Sequence, residues 1–582
     1  MDNSSSIYKP INEGSVSLVI KTGGMEIKCN AYIISVTVFE EFNKIATAEI
    51  LLNEGGMDND SFEIGNSDTF LMGKEVEIAC GYETGKTSVI FKGIIVKHSV
   101  KLNDSRSEIL ITAKHSAYRM TKLRKNMRFS DKKDSEVISD IIRKYNIDSD
   151  LEDTTVVHES LVQYNATDWD FVNMRAEANG KLLLTCPDGV VAKSPDVKAG
   201  AVIQIDNGFN LRDFEANLDG ETAYPKYEAN VWIEPDQTLN KLSVDSGKYD
   251  VPQGDEDSNK LAKKVSAPDF QVNMMSSQTN TDALSAYMDA VSLRNNLSRI
   301  IGKTTFSGYA PIHPGDIICF DRLGKKFNGN TIVTSVVHDI DSDWSTTIRF
   351  GMDDFGYAEK FDNIMERPAS GLLPGVNGLQ IAKVFQLAGD PLGEDRIQIQ
   401  LVHGEETKLW ARVAVLDAGK ERGSFFMPEV DDEVIVGFVD DNPNNAVVLG
   451  MMHSSKLPVP TEITDGNNLK GFYSREKMKL EFDEEKKAVV IETPNGNQLS
   501  ISEDEKAISL KDQNGNKIVL NADGIVVEST KALTLKAAED INIEGNNVNV
   551  KANMAFKATG NTGAEVSTTA TAVLKGSIVQ IN

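Results

Sequence analysis

The strongest constraint on this chain is a periodicity in its last fifth. From Asn495 to Asn582 there is no Pro, Cys, Trp, Tyr, His or Arg, and Phe556 is the only aromatic residue. A segment so poor in large side chains cannot build an ordinary globular core, and its repeat shows what it builds instead. Three segments, 479–497, 498–516 and 517–535, align at a step of 19 residues. Leu480/Phe482, Leu499/Ile501 and Ile518/Leu520 fall at equivalent places. The Asn-Gly-Asn triplets at 495–497 and 514–516 supply residues that tolerate positive φ, as tight turns require. Alternation on both sides of those turns predicts strand–turn–strand.

After 525 the step shortens to eight or so. Apolar pairs separated by one residue recur at Ile525/Val527, Leu533/Leu535, Ile541/Ile543 and Val548/Val550, with small or polar residues between them. Each unit is a short strand with two inward side chains, too little apolar area to be stable alone. One solution is a single-chain solenoid, which needs three faces per turn and so about 18 or more residues per coil. The other is three chains winding together, each giving one face of a triangular prism. The octad favours the second, which also leaves no open sheet edge. At about 4.8 Å per layer such a rod would be on the order of 35 Å long. The terminal 577–582 stretch resumes alternation after small residues, so Ile578, Ile581 and Asn582 are the expected tip contacts.

Charge divides the same way. The net charge is −26, yet five Lys balance five acids from 525 onward, so the rod is neutral. So acidic a chain would be repelled by phosphate backbones, and no basic face suggests a nucleic-acid partner. No apolar run approaches the roughly 20 residues of a membrane span. Met1–Ser6 has neither the basic nor the apolar part of a signal peptide. Cys29, Cys80, Cys186 and Cys319 are far apart, form no C-x-x-C and read as buried small hydrophobes in a reducing compartment. Assembly in the cytoplasm is expected.

Upstream, a Pro/Gly-rich passage (366–378) reads as a linker. Five short alternating strands follow at 379–384, 396–401, 409–415, 432–438 and 446–450, with turns at 390–393 and 440–443. That pattern predicts a small closed barrel of the OB type over 379–455, then a linker at 456–478. In the N-terminal region, 33–38, 46–52, 75–82 and 88–96 alternate as strands. Three helices are predicted: one at 135–145 capped by Asp134 or Ser135; one within 164–184 capped by Thr167 or Asp168 and ended by Gly180; one at 282–301 stopped by Gly302, with Leu284, Met288, Val291 and Ile300 inward.

The segments DPLGEDRIQIQL and WARVAVLDAGKERGSFFMPEVDDEVIVGFVDDNPNNAVVLGMMH, with the octad rod, resemble the VgrG-type hub and spike proteins of contractile injection systems. These include type VI secretion, contractile phage tails and extracellular injection particles. The stretch PEVDDEVIVGF…DNPNNAVVLG carries most of the likeness, with Asp431 where a glycine is common. The resemblance is sharp from 376 on and looser before, where 164–184 is similar to the hub signature. It implies a mainly β chain: an α+β hub (1–365) with two phage-tail-hub-like barrel modules, an OB-fold barrel, antiparallel β repeats (479–524) and an intertwined trimeric β-helix (525–582). It implies a homotrimer that adapts a three-fold spike to a six-fold tube and punctures target membranes. Its partners would be a hexameric inner-tube protein (Hcp-like), baseplate proteins, a PAAR-type tip protein, effectors and, transiently, the target membrane. The assembled particle would deliver the spike outside the cell or into the target.

Chemical motifs are few. Gly81-Tyr82-Glu83-Thr84-Gly85-Lys86-Thr87 has one residue too few between its glycines for a phosphate loop and joins two strands, so it reads as a hairpin turn. The seven histidines (98, 115, 158, 313, 338, 403, 453) show no metal-ligand spacing, and the rod lacks an H-x-H. Acid pairs such as Asp431-Asp432 and Glu484-Glu485 have no matching base. The short interval between barrel and repeats leaves no room for a hydrolase, and no effector domain is expected after the rod. No catalytic, cofactor or metal residue is therefore expected. Two other readings stay open: an enzyme with its site hidden in the hub, and a trimeric adhesin-like fibre.

Overall fold

Alternating apolar side chains organise the N-terminal strands into sheet. Strand Ile33–Glu41 buries Val36 and Val38, and strand Thr47–Gly55 buries Ala48, Ile50 and Leu52. Ile78, Ile90, Ile109 and Ile111 from neighbouring strands complete this first core. A second core holds Ile318, Phe320, Val336, Ile348 and Phe350, with Phe214 stacked on Phe350 and edge-on to Phe320. Strand Gly329–Ile340 pairs antiparallel with Ile33–Glu41, from Ile340 opposite Val36 to Ser335 opposite Glu41. That pairing joins the two modules into one thirteen-stranded sheet. The computed structural model describes residues 14–28, 32–55, 62–83, 86–103, 106–233, 237–245, 252–274, 281–403 and 407–581. It divides into two units, residues 1–376 with 440–443, and 377–439 with 444–582.

The helices lie near their predicted places with instructive differences. Helix Asp134–Arg143 buries Val137, Ile138, Ile141 and Ile142 on one stripe. Neither Asp134 nor Ser135 caps it. Instead the Lys133 N–H donates to the Glu136 carboxylate at 2.8 Å. Helix Asp168–Ala178 is capped by Thr167, whose Oγ1 accepts the Asp170 N–H at 3.1 Å, and is followed by Gly180 at φ +65°. The third helix, Thr281–Ser298, ends before the predicted 301. Ile300–Ser307 is a strand between Leu211–Leu218 and Trp344–Phe350, so Ile300 is buried from sheet and Gly302 is no helix stop. Paired β-branched residues (Ile300-Ile301, Thr304-Thr305) and two flanking strands outweigh the helical periodicity. A Cβ at Gly302 would lie 2.2 Å from the Glu215 carbonyl oxygen.

Asp134 is freed from capping to hold a buried ion pair. Its carboxylate accepts Arg175 Nε at 2.6 Å and Nη2 at 2.8 Å, Asn179 Nδ2 at 2.9 Å, and lies 2.9 Å from His158 Nε2. Burial alone would raise its pKa. The Arg175 and His158 contacts outweigh that and hold it below the usual carboxylate value. The group ties the 134–143 and 168–178 helices together.

In the second unit, strands Gln380–Gln386, Ile397–Leu401, Lys408–Val413, Ala446–Met451 and Glu433–Phe438 close in that order into a barrel. Its narrow interior takes small or branched side chains, Ala382, Val384, Ile397, Ile399, Ala411, Val434, Val436 and Val448. Asp390 organises the first turn. Its carboxylate accepts the N–H groups of Leu392 and Glu394, and Arg396 Nη2 at 2.6 Å. Arg396 first, then these N–H groups, hold Asp390 far below the ordinary carboxylate range. Asp431 sits at φ +77°, in the left-handed region that favours glycine.

Seven antiparallel strands follow: Leu469–Tyr473, Lys479–Asp483, Ala488–Glu492, Gln498–Ser502, Ala507–Lys511, Lys517–Asn521 and Gly524–Glu528. The sheet is longer than the predicted 479–524. It starts inside the predicted 456–478 linker, because Phe472 pairs opposite Leu480, and it ends at Glu528, because Ile525 and Val527 pair with Leu520 and Ile518. The two Asn-Gly-Asn triplets make equivalent turns. Thr493 N–H donates to the Asn497 carbonyl, and Asp512 N–H to the Asn516 carbonyl, both at 3.0 Å, with Gly496 and Gly515 at φ +89° and +90°. The last Asn of each triplet also reaches the next repeat. Asn497 Oδ1 accepts Gln513 N–H at 3.1 Å, and Asn516 Oδ1 accepts Thr530 N–H at 2.9 Å. Among the described residues 529–581, no strand pairs within the chain.

Three outcomes follow from these contacts. Asp134→Asn leaves the Arg175 charge largely buried and unpaired and should cost about 3 kcal/mol in the chemical unfolding of the first unit. Asp390 has a depressed folded pKa, so its stabilisation is complete above the unfolded carboxylate value of about 4 and fades as pH falls through the folded value. Asp390→Ala should therefore accelerate amide exchange in Ile397–Leu401 at pH 6 and weaken the acid-induced rise of that exchange. Asn516→Ala removes a hydrogen bond worth about 1 kcal/mol, so the Thr530 amide should exchange about fivefold faster.

Candidate assembly surface

The register of the seven-stranded sheet sorts its side chains into two unlike faces. On one face Phe472, Leu480, Ile491, Leu499, Leu510, Ile518 and Val527 stand directly opposite one another, one from each strand. A second row beside it holds Lys470, Phe482, Val489, Ile501, Ile508, Leu520 and Ile525. Apart from Lys470 every member is apolar. At about 4.8 Å per strand the double row extends for roughly 30 Å.

Within one chain this face is largely uncovered, although Phe426 stacks on Phe472 at 5.3 Å. Ile501 is 50% exposed, Leu510 51% and Ile525 71%. On the other face Ser500, Ser502 and Ser509 are buried, and Ser509 Oγ has no hydrogen-bond partner. Apolar residues outside and serines inside invert the usual order, and a contiguous apolar strip of this size marks an interaction surface. The serine-bearing face carries its own charge neutralisation. Lys479 faces Glu492 across the strands at 3.3 Å, and Lys517 faces Glu528 at 2.9 Å. Burial would lower the Lys479 pKa, but Glu481 and Glu492 outweigh it and hold it raised.

Of the predicted rod residues, Leu480, Phe482, Leu499, Ile501, Ile518, Leu520, Ile525 and Val527 are brought together on this face. Leu533, Leu535, Ile541, Ile543, Val548 and Val550 stand exposed without a ladder. Ile578 and Ile581 are also exposed, and Asn582 lies outside the described residues. Sequence reading missed Phe472 and the pairs Val489/Ile491 and Ile508/Leu510, five of the thirteen apolar residues on the double row. The signal was present, since each pair repeats its predecessor nine residues later on the returning strand.

The residues weighed for chemistry are dispersed. His115 Nδ1 accepts the Ala117 N–H and burial pushes its pKa down to about 4. His338 lies 3.0 Å from Thr346 Oγ1 and burial pushes it to about 3. His158 adjoins Asp134, and His313 Nδ1 lies 3.0 Å from Glu40 Oε2. Among the described residues no cluster of three or more His, Cys, Asp or Glu is placed to hold a metal, and no helix is long and apolar enough to cross a membrane. Cys80 is buried and its thiol is pushed up to about 12, while Cys186 and Cys319 are only half-buried against expectation. All three are free, and Cys29 lies outside the described residues. The 81–87 segment links the antiparallel strands Glu75–Tyr82 and Ser88–Asn103, with Thr84 and Gly85 outside the described residues.

Residues 12–342 match the family described as the Alg8 N-terminal domain. Residues 380–453 match the type VI secretion system/phage-baseplate injector OB domain, and residues 488–582 the phage baseplate V C-terminal trimerisation domain. The type VI secretion system spike protein VgrG1b of Pseudomonas aeruginosa is 30% identical over 112 residues, 18% of this chain and 15% of its own length. VgrG5 of the same organism is 29% identical over 164 residues, 24% of this chain and 20% of its own length. The match thus spans a minor part of these spike proteins. Among solved structures, the 43 kDa tail protein of prophage MuSo2 from Shewanella oneidensis aligns at 11% identity with a TM-score of 0.45, over 58% of this chain and 99% of that one. With the Alg8 N-terminal match covering more than half of its length, and the baseplate barrel and trimerisation domain after it, the chain belongs to that family and is a VgrG-type hub and spike protein.

Proposed function

We propose that three copies of this chain assemble through the apolar double row and form the spike and hub at the tip of the inner tube of a contractile injection machine. The single observation that carries the reading is that double row. Covering it within one chain would need a second layer, whereas the Phe426 ring stacked on Phe472 reaches one end of it and leaves Ile501, Leu510 and Ile525 exposed. Three copies related by a three-fold axis would each present the same face to the centre, and the octads from 529 onward would continue the prism as one face per chain. In this reading residues 1–365 are the hub and 379–455 the barrel that leads into the spike. The two fused modules per chain give six in a trimer, the number that meets a six-fold ring of tube protein.

The role is mechanical rather than enzymatic, with no cofactor. Sheath contraction drives tube and spike into a target membrane, and a rod whose strand edges are all paired between chains opens slowly under load. The curated relatives are secretion spike proteins, which supports this placement. The inner-tube ring, baseplate proteins, a tip protein of PAAR type and effectors are the partners the reading entails, with assembly in the bacterial cytoplasm and delivery outside it on firing.

The test is the native mass of the full chain. The expected mass is three times the 63.8 kDa of one chain. Ile501→Asp with Leu510→Asp places two charges per chain on the covered face and should reduce that mass to one or two copies while leaving the barrel folded. A wild-type protein that stays monomeric at micromolar concentration would sink the proposal.

A further inference from the structure

A cavity in the first unit has a lining whose charges leave one group unsatisfied. It lies over a cross-strand row that runs Glu215, Lys303, Arg349, Ser335, Glu41, each residue directly opposite the next. Its volume is about 670 Å³, within the range of ligand pockets. Three of the four cations on its walls are neutralised: Lys303 by Glu215 at 3.0 Å, Lys44 by Glu41 at 2.7 Å and Lys360 by Asp353 at 2.5 Å. Glu177 is committed to Arg294 at 2.7 Å and to the Tyr357 N–H at 2.8 Å. Among the described residues, Arg349 alone on these walls is a charge with no ion pair or hydrogen bond. It also stands directly opposite Lys303, an arrangement that costs stability unless an anion relieves it.

The remaining surface combines the polar side chains of Asn43, Asn217 and Thr334 with an apolar part that is held in place. Phe42, Met352, Phe355 and Phe361 line the cavity. Tyr357 forms a rigid side, because its hydroxyl donates to Asp170 Oδ1 at 2.8 Å and its ring lies 4.8 Å from Phe361. Gly302 keeps the floor open, since a Cβ there would meet Phe350 at 2.5 Å. Beyond Arg349 a second hollow of about 440 Å³ opens over Phe39, Ile45 and Val337, sharing Arg349 and Ser335 with the first. Two hollows on either side of one free guanidinium describe a groove rather than a pit.

We propose that this groove binds a polypeptide terminus: an extended partner segment whose carboxylate pairs with Arg349 and whose apolar last side chain fills the aromatic hollow. A guanidinium recognises a carboxylate through two parallel hydrogen bonds, and the walls already fixed by ion pairs need no reordering to receive it. The second hollow gives an extended chain a further apolar contact that a single amino acid would not reach. The inference does not depend on the oligomeric reading, because every residue it uses belongs to the first unit of one chain.

The experiment uses the full chain and three probes measured by calorimetry: acetyl-Val-Leu-Phe as the free acid, the same peptide as its C-terminal amide, and acetyl-Phe. The free acid should bind at least tenfold more tightly than the amide and than acetyl-Phe. Arg349→Ala should abolish that preference, Arg349→Lys should keep part of it, and Val337→Asp should weaken the peptide while sparing acetyl-Phe. Arg349 is exposed and unpaired, so unchanged melting of Arg349→Ala checks that the fold persists. Equal binding of acid and amide, no binding of any probe, or an undiminished preference in Arg349→Ala would overturn the proposal. Binding of acetyl-Phe as tight as the peptide would overturn the extended-segment part. A change in native mass on adding the free acid would assign the groove to a second copy of this chain instead.

Discussion

Two rows of branched and aromatic side chains on one face of the 469–528 sheet have little cover in the chain that carries them, and the second unit is arranged around that deficit. The strands are five residues each, so each contributes two side chains to the face and too little area to hold itself. Turns of fixed geometry therefore set the strands in place. Asp512 accepts Asn516 Nδ2 at 2.7 Å and the N–H groups of Asn514 and Asn516 at 2.9 and 2.8 Å, and these bonds, the Asn516 side chain first, hold its carboxyl below the usual range. Such turns make the sheet from local contacts before any partner arrives.

The first unit solves the opposite problem. It has enough apolar residues for several cores, and the question is how to keep the two that lie in its sheet from moving against each other. Pairing strand Gly329–Ile340 with Ile33–Glu41 answers it with backbone hydrogen bonds, which resist sliding better than a packed interface does. The Asp134–Arg175 pair then fixes the helices to one another. The cavity is a by-product of the same junction, since its row of side chains runs across the strands that join the modules.

Period-two alternation was legible wherever one face of a strand is buried. It placed the barrel strands within two residues and the main strands of the first module. It failed where burial comes from elsewhere. Strand Leu469–Tyr473 contains Gly471 and lacks clean alternation, and its pairing along Lys479–Asp483 makes it a strand. The 282–301 helix was overextended because Ile300 fits a helical stripe as well as a sheet. The cavity was invisible in sequence. Its lining comes from 41–44, 177, 215–217, 301–303, 334–335 and 349–361, which only long-range strand pairing brings together. The unpaired state of Arg349 depends on which acids its neighbours have already taken.

Register is what such a sheet must get right before it meets another copy. Side chains alternate between faces at every residue, so a slip of one position would send Leu499 and Ile501 to the serine side and Ser500 to the apolar side. Charge discourages the same error. In register, Lys479 meets Glu492 and Lys517 meets Glu528, while a slip brings each lysine beside Ile491 or Val527 instead. The left-handed turn residues Lys487 and Lys506, at φ +48° and +50° and 19 positions apart, hold the loop lengths that make those pairs coincide. Hydrophobic association alone would tolerate several alignments of three such faces. The turns and the lysine–glutamate pairs remove that freedom within each chain, so that what remains for assembly is to bring together surfaces already in step.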